Sequence, residues 1–174
     1  MHKKIILIFL AFIIIQSLFN LNGSTVYAEE NSSPSAQLLQ ITYESINPSD
    51  DYQYIFKRLK EKLLLIILSY SPSEKSKYQL NLLNTRLAEL KYVIDKQDIS
   101  NIETTSQRYS GGAGQLTQFL VDKKLEKEKQ ETKKQFETHI PILENLRDVY
   151  PANSAGWLFI QHDINYLKIY ESQL

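Results

Sequence analysis

Cysteine is absent from the 174 residues of this sequence, and glycine and proline occur only five times each. Without cysteine the chain cannot form disulfides, zinc–thiolate sites, a catalytic thiolate or a lipid anchor on cysteine. The scarcity of glycine and proline excludes collagen-like and linker-dominated proteins, and a hydrophobic content of 43% excludes a wholly disordered chain. The length is typical of one domain, with or without a tail.

An excess of charge of either sign is also missing. Lysine and arginine number 20, as do aspartate and glutamate, so the formal net charge is zero. Proteins that bind nucleic acid rely on clustered positive charge to displace counterions from the phosphates. The composition therefore gives no electrostatic reason to expect a nucleic-acid partner.

The chain begins with the pattern of a secretory signal peptide. Two lysines are followed by eleven apolar residues, 5–15, and the stretch ends at Val26-Tyr27-Ala28 ahead of Glu29. Val26 and Ala28 suit the positions that signal peptidase reads, and a membrane-spanning helix needs about 20 apolar residues. We therefore expect cleavage between Ala28 and Glu29, an extracytoplasmic (secreted or periplasmic) protein and no stable membrane span. The alternative is an uncleaved membrane anchor.

Three regions are predicted: a signal peptide at 1–28, a flexible N-terminal segment at 29–46 and a helical domain at 47–174. Residues 29–35 are polar and include Pro34, which is typical of a flexible tail. Strand-like alternation of apolar and polar residues is missing from the rest. The fold class is therefore predicted as all-α, a bundle of four to five helices built on an antiparallel helical hairpin.

The hairpin is predicted from two adjacent helical patterns. In the first, apolar residues form one stripe that should face a core, and its second half should be covered on several sides. In the second, Ser71 and Glu74 should form a capping box around Pro72 at the first helical position. The stripe of the first helix is Tyr52, Ile55, Phe56, Leu59, Leu63, Ile66, Ile67 and Tyr70, and the seam of the second is Leu80, Leu83, Leu87, Leu90 and Ile94.

Later helices carry three unusual segments. Glycines at 111, 112 and 114 predict a kink, a break or a tight helix–helix contact, with an anion-cradling loop as the alternative. Pro141 is predicted to kink or restart its helix. Residues 126–135 contain no large apolar side chain, so they should form a solvated helix that projects beyond, or only lightly touches, the core and could face a partner.

Side chains that could perform chemistry are few. His139 and His162 lack partners at the spacing of metal ligands, so we expect ordinary histidines at the surface or core edge. A transition-metal site shared between their helices is the alternative. No serine lies in a G-x-S-x-G motif. The sequence thus predicts no catalytic residue, no cofactor and no metal.

Three motifs occur in the first two helices: Phe56-Lys57-Arg58-Leu59-Lys60-Glu61-Lys62, Tyr70-Ser71-Pro72-Ser73-Glu74-Lys75 and Arg86-Leu87-Ala88-Glu89-Leu90. They resemble the bacterial and archaeal family called domain of unknown function 5667, closely over residues 47–95 and more loosely to the C-terminus. In that family a helix with K-R, a short D/S-P-x-x-K turn and a helix ending in R-L-A-E are typical. The glycines at 111, 112 and 114 depart from the usual helix formers.

The resemblance implies structural rather than catalytic roles for the matching residues, because the family has no assigned catalytic residues. These residues are Arg58, Pro72, Arg86, Leu87, Ala88 and Glu89. It also implies a domain outside the cytoplasmic membrane, which in some members resembles the external part of a membrane-bound regulator of sigma factors.

Together the patterns favour an exported, non-enzymatic helical-bundle protein that binds another protein, as an envelope sensor, adaptor or chaperone-like factor. The alternative is an extracytoplasmic protein that binds a small ligand or a metal, through its aromatic side chains or its histidines. An exported hydrolase is a third alternative.

Overall fold

The computed structural model describes residues 52–174, apart from the side chain of Gln53, and these residues belong to one compact unit of the chain. The predicted signal peptide, its cleavage point at Ala28 and Glu29, and the predicted flexible segment lie outside the described residues.

Five α-helices account for most of the described chain. They are α1 (Tyr52–Ile67), which continues into a 3₁₀ turn (Leu68–Tyr70), α2 (Pro72–Asp95), α3 (Ile99–Lys123), α4 (Glu126–Arg147) and α5 (Ala155–Gln173). Residues 52–174 contain no strand. The predicted all-α helical bundle is therefore confirmed.

Helices α2 to α5 enclose the hydrophobic core. α2 packs mainly on α3, and α5 packs on both α3 and α4. Four of the five residues of the predicted α2 seam are buried, from Leu83 to Ile94, because a stripe with steps of three and four residues stays on one side of a helix. The core consists of Leu83, Leu87, Leu90, Ile94, Tyr109, Ala113, Phe136, Leu143, Leu146, Ile160, Ile164 and Leu167.

The apolar stripe of α1 faces away from the bundle, contrary to the prediction. All eight stripe residues are exposed, from 45% for Leu63 to 96% for Tyr70. The side of α1 that faces the bundle instead buries Tyr54 and Glu61, with exposed fractions of 5% and 7%. The prediction that this stripe faces a core was wrong, because polar contacts rather than apolar ones set the orientation of the helix. We refer to the eight exposed side chains as the apolar face of α1.

The predicted helix ends are only partly correct. Pro72 occupies the first position of α2, as predicted, but the Ser71 side chain makes no capping hydrogen bond. Glu74 accepts a hydrogen bond from Lys77 Nζ at 2.9 Å rather than closing a capping box. At α5 the cap is formed, since Ser154 accepts a hydrogen bond from the Trp157 backbone N–H.

The predicted break in α3 and the predicted restart of α4 are wrong. α3 runs unbroken through its glycines, and α4 runs through Pro141. Buried residues on both sides of Pro141, Phe136 and Leu143 among them, hold both parts of α4 on the core. Of the alternatives for the glycines, the tight contact is found at Gly114, where an added Cβ would lie 2.8 Å from the Tyr170 hydroxyl.

The charged start of α4 lies against the bundle. Thr132 is buried with 1% exposure, and Ser73 Oγ donates a hydrogen bond of 2.6 Å to Glu128 on α4. Most of the other side chains in residues 126–135 remain exposed or half-buried. This segment therefore touches the core lightly, as one of the two predicted alternatives had it.

Candidate functional site

A buried carboxylate joins α1 to the bundle. Glu89 of α2 has no exposed surface, and it accepts hydrogen bonds from Arg86 at 3.0 and 3.2 Å, from Lys57 at 2.9 Å and from the Tyr54 hydroxyl at 3.3 Å. The Arg86 guanidinium also pairs with Glu61 of α1. Two carboxylates and two basic groups thus balance one another. We call these five residues the polar joint.

The polar joint keeps its central guanidinium ionised. Burial alone lowers the pKa of Arg86, but the Glu89 and Glu61 carboxylates outweigh burial and raise that pKa above its usual range. A buried ion pair contributes little net stability, yet removal of one partner costs about 3–5 kcal/mol because a charge is left buried and unpaired. The joint therefore specifies where α1 sits more than it stabilises the whole fold.

Helix α3 extends the joint through Arg108. Its guanidinium donates a hydrogen bond of 2.7 Å to the Tyr54 hydroxyl and lies 5.2 Å from the centre of the Tyr54 ring. Burial and the nearby Glu89 carboxylate raise the pKa of Tyr54, so its hydroxyl stays protonated and can donate to Glu89. One tyrosine thus connects α1, α2 and α3.

A cleft opens beside the polar joint, between α1, α2 and α3. Its volume is about 290 Å³, and its lining includes four basic side chains and one acidic one. The basic side chains come from all three helices, so the positive charge is gathered by the tertiary fold and is not visible as a run in the sequence. They are Arg58, Lys62, Arg86 and Arg108, and the acid is Glu61.

Two glycines of α3 line this cleft. An added Cβ at Gly111 would meet nothing within 4 Å, and one at Gly112 would only reach ordinary contact with Leu83 at 3.9 Å. A glycine within a helix costs roughly 1 kcal/mol relative to alanine. Gly114 is explained by its contact with Tyr170, but no contact within the described residues requires Gly111 or Gly112.

The two histidines occupy unlike places. His139 is fully buried, and its ring nitrogens contact the Tyr109 hydroxyl at 2.9 Å, Gln135 at 2.9 Å and Asn84 at 3.0 Å. Burial lowers the pKa of His139 to about 4. His162 is exposed on α5. Because His139 is fully buried, the predicted surface or core-edge position was wrong for His139, whereas His162 lies at the surface as predicted.

Asp163 is a buried acid that the sequence reasoning missed. Its exposed fraction is 1%, and burial raises its pKa to about 7, although the nearby Ser106 and Ser110 hydroxyls act in the opposite direction. A signal was present, because Asp163 falls on the stripe that includes Ile160, Ile164 and Leu167. An acid within such a stripe indicates a buried polar contact rather than a solvated face.

The residues implied by the family resemblance fall into two groups. Arg86 and Glu89 belong to the polar joint, and Arg58 lines the cleft beside it. Leu87 and Ala88 are buried in the bundle with exposed fractions of 1% and 5%, and Pro72 begins α2. The contributions of Tyr54, Glu61 and Arg108 were missed, because nothing in their spacing distinguishes them from a solvated helix face.

These features define an all-α bundle that holds an outward-facing amphipathic helix on a charged joint. The chain belongs to the family described as Domain of unknown function (DUF5667), whose profile matches residues 45–149, more than half of the chain. The match confirms the resemblance and includes the cleft, the polar joint and helices α1 to α4. No curated protein and no solved structure gives a significant match.

Residues 52–174 lack two further features. Within them, no helix is both long and apolar enough to cross a membrane. In the same part of the chain, three or more histidine or acidic side chains nowhere gather as a metal-binding group.

Proposed function

We propose that this is an exported, non-enzymatic helical-bundle protein that binds a partner protein through the apolar face of α1. The observation that carries the proposal is the exposure of eight apolar side chains along one helix, at 45–96% each. Contiguous apolar patches of this kind on soluble proteins mark interaction sites, because exposing them to water is unfavourable.

The polar joint makes this face suitable for recognition. Since Glu61 and Tyr54 fix the opposite side of α1, the apolar face stays turned outward instead of collapsing onto the bundle. A surface that is already ordered loses less conformational entropy when it binds. The joint therefore supports affinity without touching the partner.

The partner that fits is an amphipathic helix whose apolar stripe is bordered by acidic side chains. Successive residues are about 100° apart around a helix, which places Lys60 and Lys62 on opposite edges of the apolar face. An acidic helix would bring charge of the complementary sign to both edges while its apolar stripe covers the face. A second copy of α1 would bring lysines together, so self-association is disfavoured.

A membrane surface fits less well than a helix. Anionic lipids contribute about 1 kcal/mol for each basic side chain near the surface. Of the basic residues of α1, Lys57 is bound to Glu89, and Arg58 and Lys62 line the cleft. The electrostatic attraction to lipid would therefore be small.

The interiors of the bundle support a non-enzymatic role. Burial lowers the pKa of His139 to about 4 and raises the pKa of Asp163 to about 7. The exposed fractions of these two side chains are 0% and 1%. A general acid or base must come within hydrogen-bond reach of its substrate. Neither group can do so while the bundle is folded.

Site-specific photocrosslinking in the producing cell tests the partner. A photoreactive phenylalanine analogue replaces Phe56 on the apolar face, and the control is the same replacement at Val149, which has a similar exposure of 62% against 66%. We expect one protein adduct from position 56 and none from position 149, with the crosslinked peptide in an acidic amphipathic helix. An adduct with residues 29–46 of the same chain, with lipid, or with a second copy would overturn the proposal.

Export has its own test. N-terminal sequencing of protein recovered outside the cytoplasm should begin at Glu29, since Val26 and Ala28 precede the predicted cleavage point. Recovery of the uncleaved chain in the membrane fraction would contradict export as a free protein. The crosslinking result would still stand, because it does not depend on cleavage.

A further inference from the structure

The cleft between α1, α2 and α3 holds positive charge that no carboxylate of residues 52–174 neutralises. Among the described residues, Arg58, Lys62 and Arg108 form no ion pair with a carboxylate. The acid in the cleft, Glu61, is already paired with Arg86. Like charges gathered in a concave surface focus the electrostatic potential and attract ions of the opposite sign.

Two glycines leave part of the cleft lining without side chains. A methyl group would fit at Gly111 and at Gly112 without a close contact, so neighbouring helices do not require the missing side chains. Any larger side chain at Gly111 or Gly112 would occupy space in the cleft itself. The glycines are therefore explained if a ligand lies against the α3 backbone.

We propose that this cleft binds a small molecule that carries a phosphate group. A phosphate monoester has a charge of about −1.5 to −2 at pH 7. It therefore balances the charge of three unpaired basic side chains better than a single carboxylate would. Guanidinium groups such as those of Arg58 and Arg108 match phosphate oxygens with paired hydrogen bonds. The cleft of about 290 Å³ has room for roughly ten non-hydrogen atoms at about 30 Å³ each.

Titration of the purified full chain with glycerol 3-phosphate, with neutral glycerol as the matched compound, tests the site. We expect saturable binding of the phosphate and none of glycerol. Arg58→Gln should raise the Kd about tenfold or more, because Arg58 supplies a charge-assisted contact. Gly111→Leu should abolish binding by filling the cleft, and Lys123→Gln, an exposed change at the far end of α3, should leave the Kd unaltered.

The folded state of each variant is checked by its thermal midpoint. Arg58 makes no hydrogen bond or ion pair within the described residues, so Arg58→Gln tests the site even if leucine at position 111 disturbs α3. Vesicles containing phosphatidylglycerol, compared with phosphatidylcholine alone, form a second arm. Binding to these vesicles that is lost in Arg58→Gln, with no binding of the free compound, supports the phosphate site and assigns its source to a lipid headgroup.

Two results would overturn the site. One is the absence of binding in both arms at concentrations up to about 10 mM, an affinity too weak to matter. The other is binding that Arg58→Gln and Gly111→Leu leave unchanged. Both are independent of the crosslinking at Phe56, which lies on the opposite side of α1 from the polar joint.

Discussion

Helices α1 and α2 are neighbours in the chain and both are amphipathic, but they turn their apolar sides in opposite directions. α2 buries Leu83, Leu87 and Leu90 in the bundle, whereas α1 exposes Phe56 and Ile66 at 66% and 65%. Periodicity defines a face in both cases. Which side of each helix is buried depends on the groups that the neighbouring helices place beside it.

The two helices are therefore held by different forces. Apolar burial is non-directional, and it links α2 to α3 over a long interface. α1 depends on directed contacts to a few charged groups, chiefly Glu89 and Arg86. We expect α1 to detach from the bundle before the bundle itself unfolds, which is typical of regions with few buried apolar contacts.

The largest effect should follow from breaking the polar joint. Arg86→Gln leaves Glu61 and Glu89 buried without their guanidinium, which should destabilise the docking of α1 by about 3–5 kcal/mol. Amide hydrogen exchange should then become fast in α1 while α2 to α5 stay protected. Lys91→Gln is the matched control, because Lys91 forms a half-exposed pair with Asp95 on the same helix, worth about 0–1 kcal/mol. Unchanged exchange in α1 would contradict this view of the joint.

A pair of leucine substitutions compares the two apolar faces directly. Leu87→Ala, at 1% exposure, should cost about 2–5 kcal/mol in the free energy of unfolding because it leaves a cavity in the core. Leu59→Ala, at 52% exposure, should stay within about 0.5 kcal/mol. Urea denaturation of both variants measures the difference. Equal losses would mean that the apolar face of α1 is covered in the full protein.

Much of the bundle was accessible from the sequence, and the placement of α1 was not. The α2 seam from Leu83 to Ile94 was predicted because helical periodicity is a local property. The polar joint links Glu61 to Arg86 and Tyr54 to Arg108, residues 25 and 54 positions apart. No local sequence pattern predicts such pairs. An apolar stripe on a helix is normally assigned to the core.

The role of a glycine in α3 also depends on residues that are distant in the sequence. Three glycines in one helix predicted a kink, a break or a tight helix–helix contact, and the helix is continuous with a tight contact at Gly114. Gly114 accommodates Tyr170 from α5, more than 50 positions away, whereas Gly111 borders the cleft. Composition identified the unusual segment. The different roles of Gly111 and Gly114 depend on how helices that are distant in the sequence pack together.

Two buried side chains of the bundle, Asp163 and His139, should affect stability in opposite ways as the pH changes. Burial raises the pKa of Asp163 from 3.8 to about 7, so its protonated form favours folding, fully below pH 3.8 and less and less as the pH rises toward 7. His139 acts in the opposite sense. Burial lowers its pKa from 6.5 to about 4, so stability is present above pH 6.5 and is lost as the pH falls toward 4. The two contributions oppose each other between these values.

Asp163→Asn removes one of the two opposing contributions. The variant should gain on the order of 1–4 kcal/mol in unfolding free energy relative to the native chain when the pH is raised from 4 to 7. Urea denaturation at several pH values measures this difference. Asp122→Asn, at an exposed position of α3, provides the control. A difference that is the same at every pH would show that Asp163 does not titrate in this range.

The smallest effect is expected where α4 starts, in the other charged region of the molecule. Its ion pairs lie at the surface, with Lys127 3.7 Å from Glu131 and Lys129 2.9 Å from Glu126. Changing Lys127, Lys129 and Lys133 together to glutamine should therefore alter the unfolding free energy by no more than about 1–2 kcal/mol, since each exposed pair contributes about 0–1 kcal/mol. Chemical denaturation checks this, and loss of the fold would mean that charge holds α4 in place as it holds α1. If the fold survives, crosslinking from Phe56 should be unaffected, because the partner is proposed to bind α1 and not this segment.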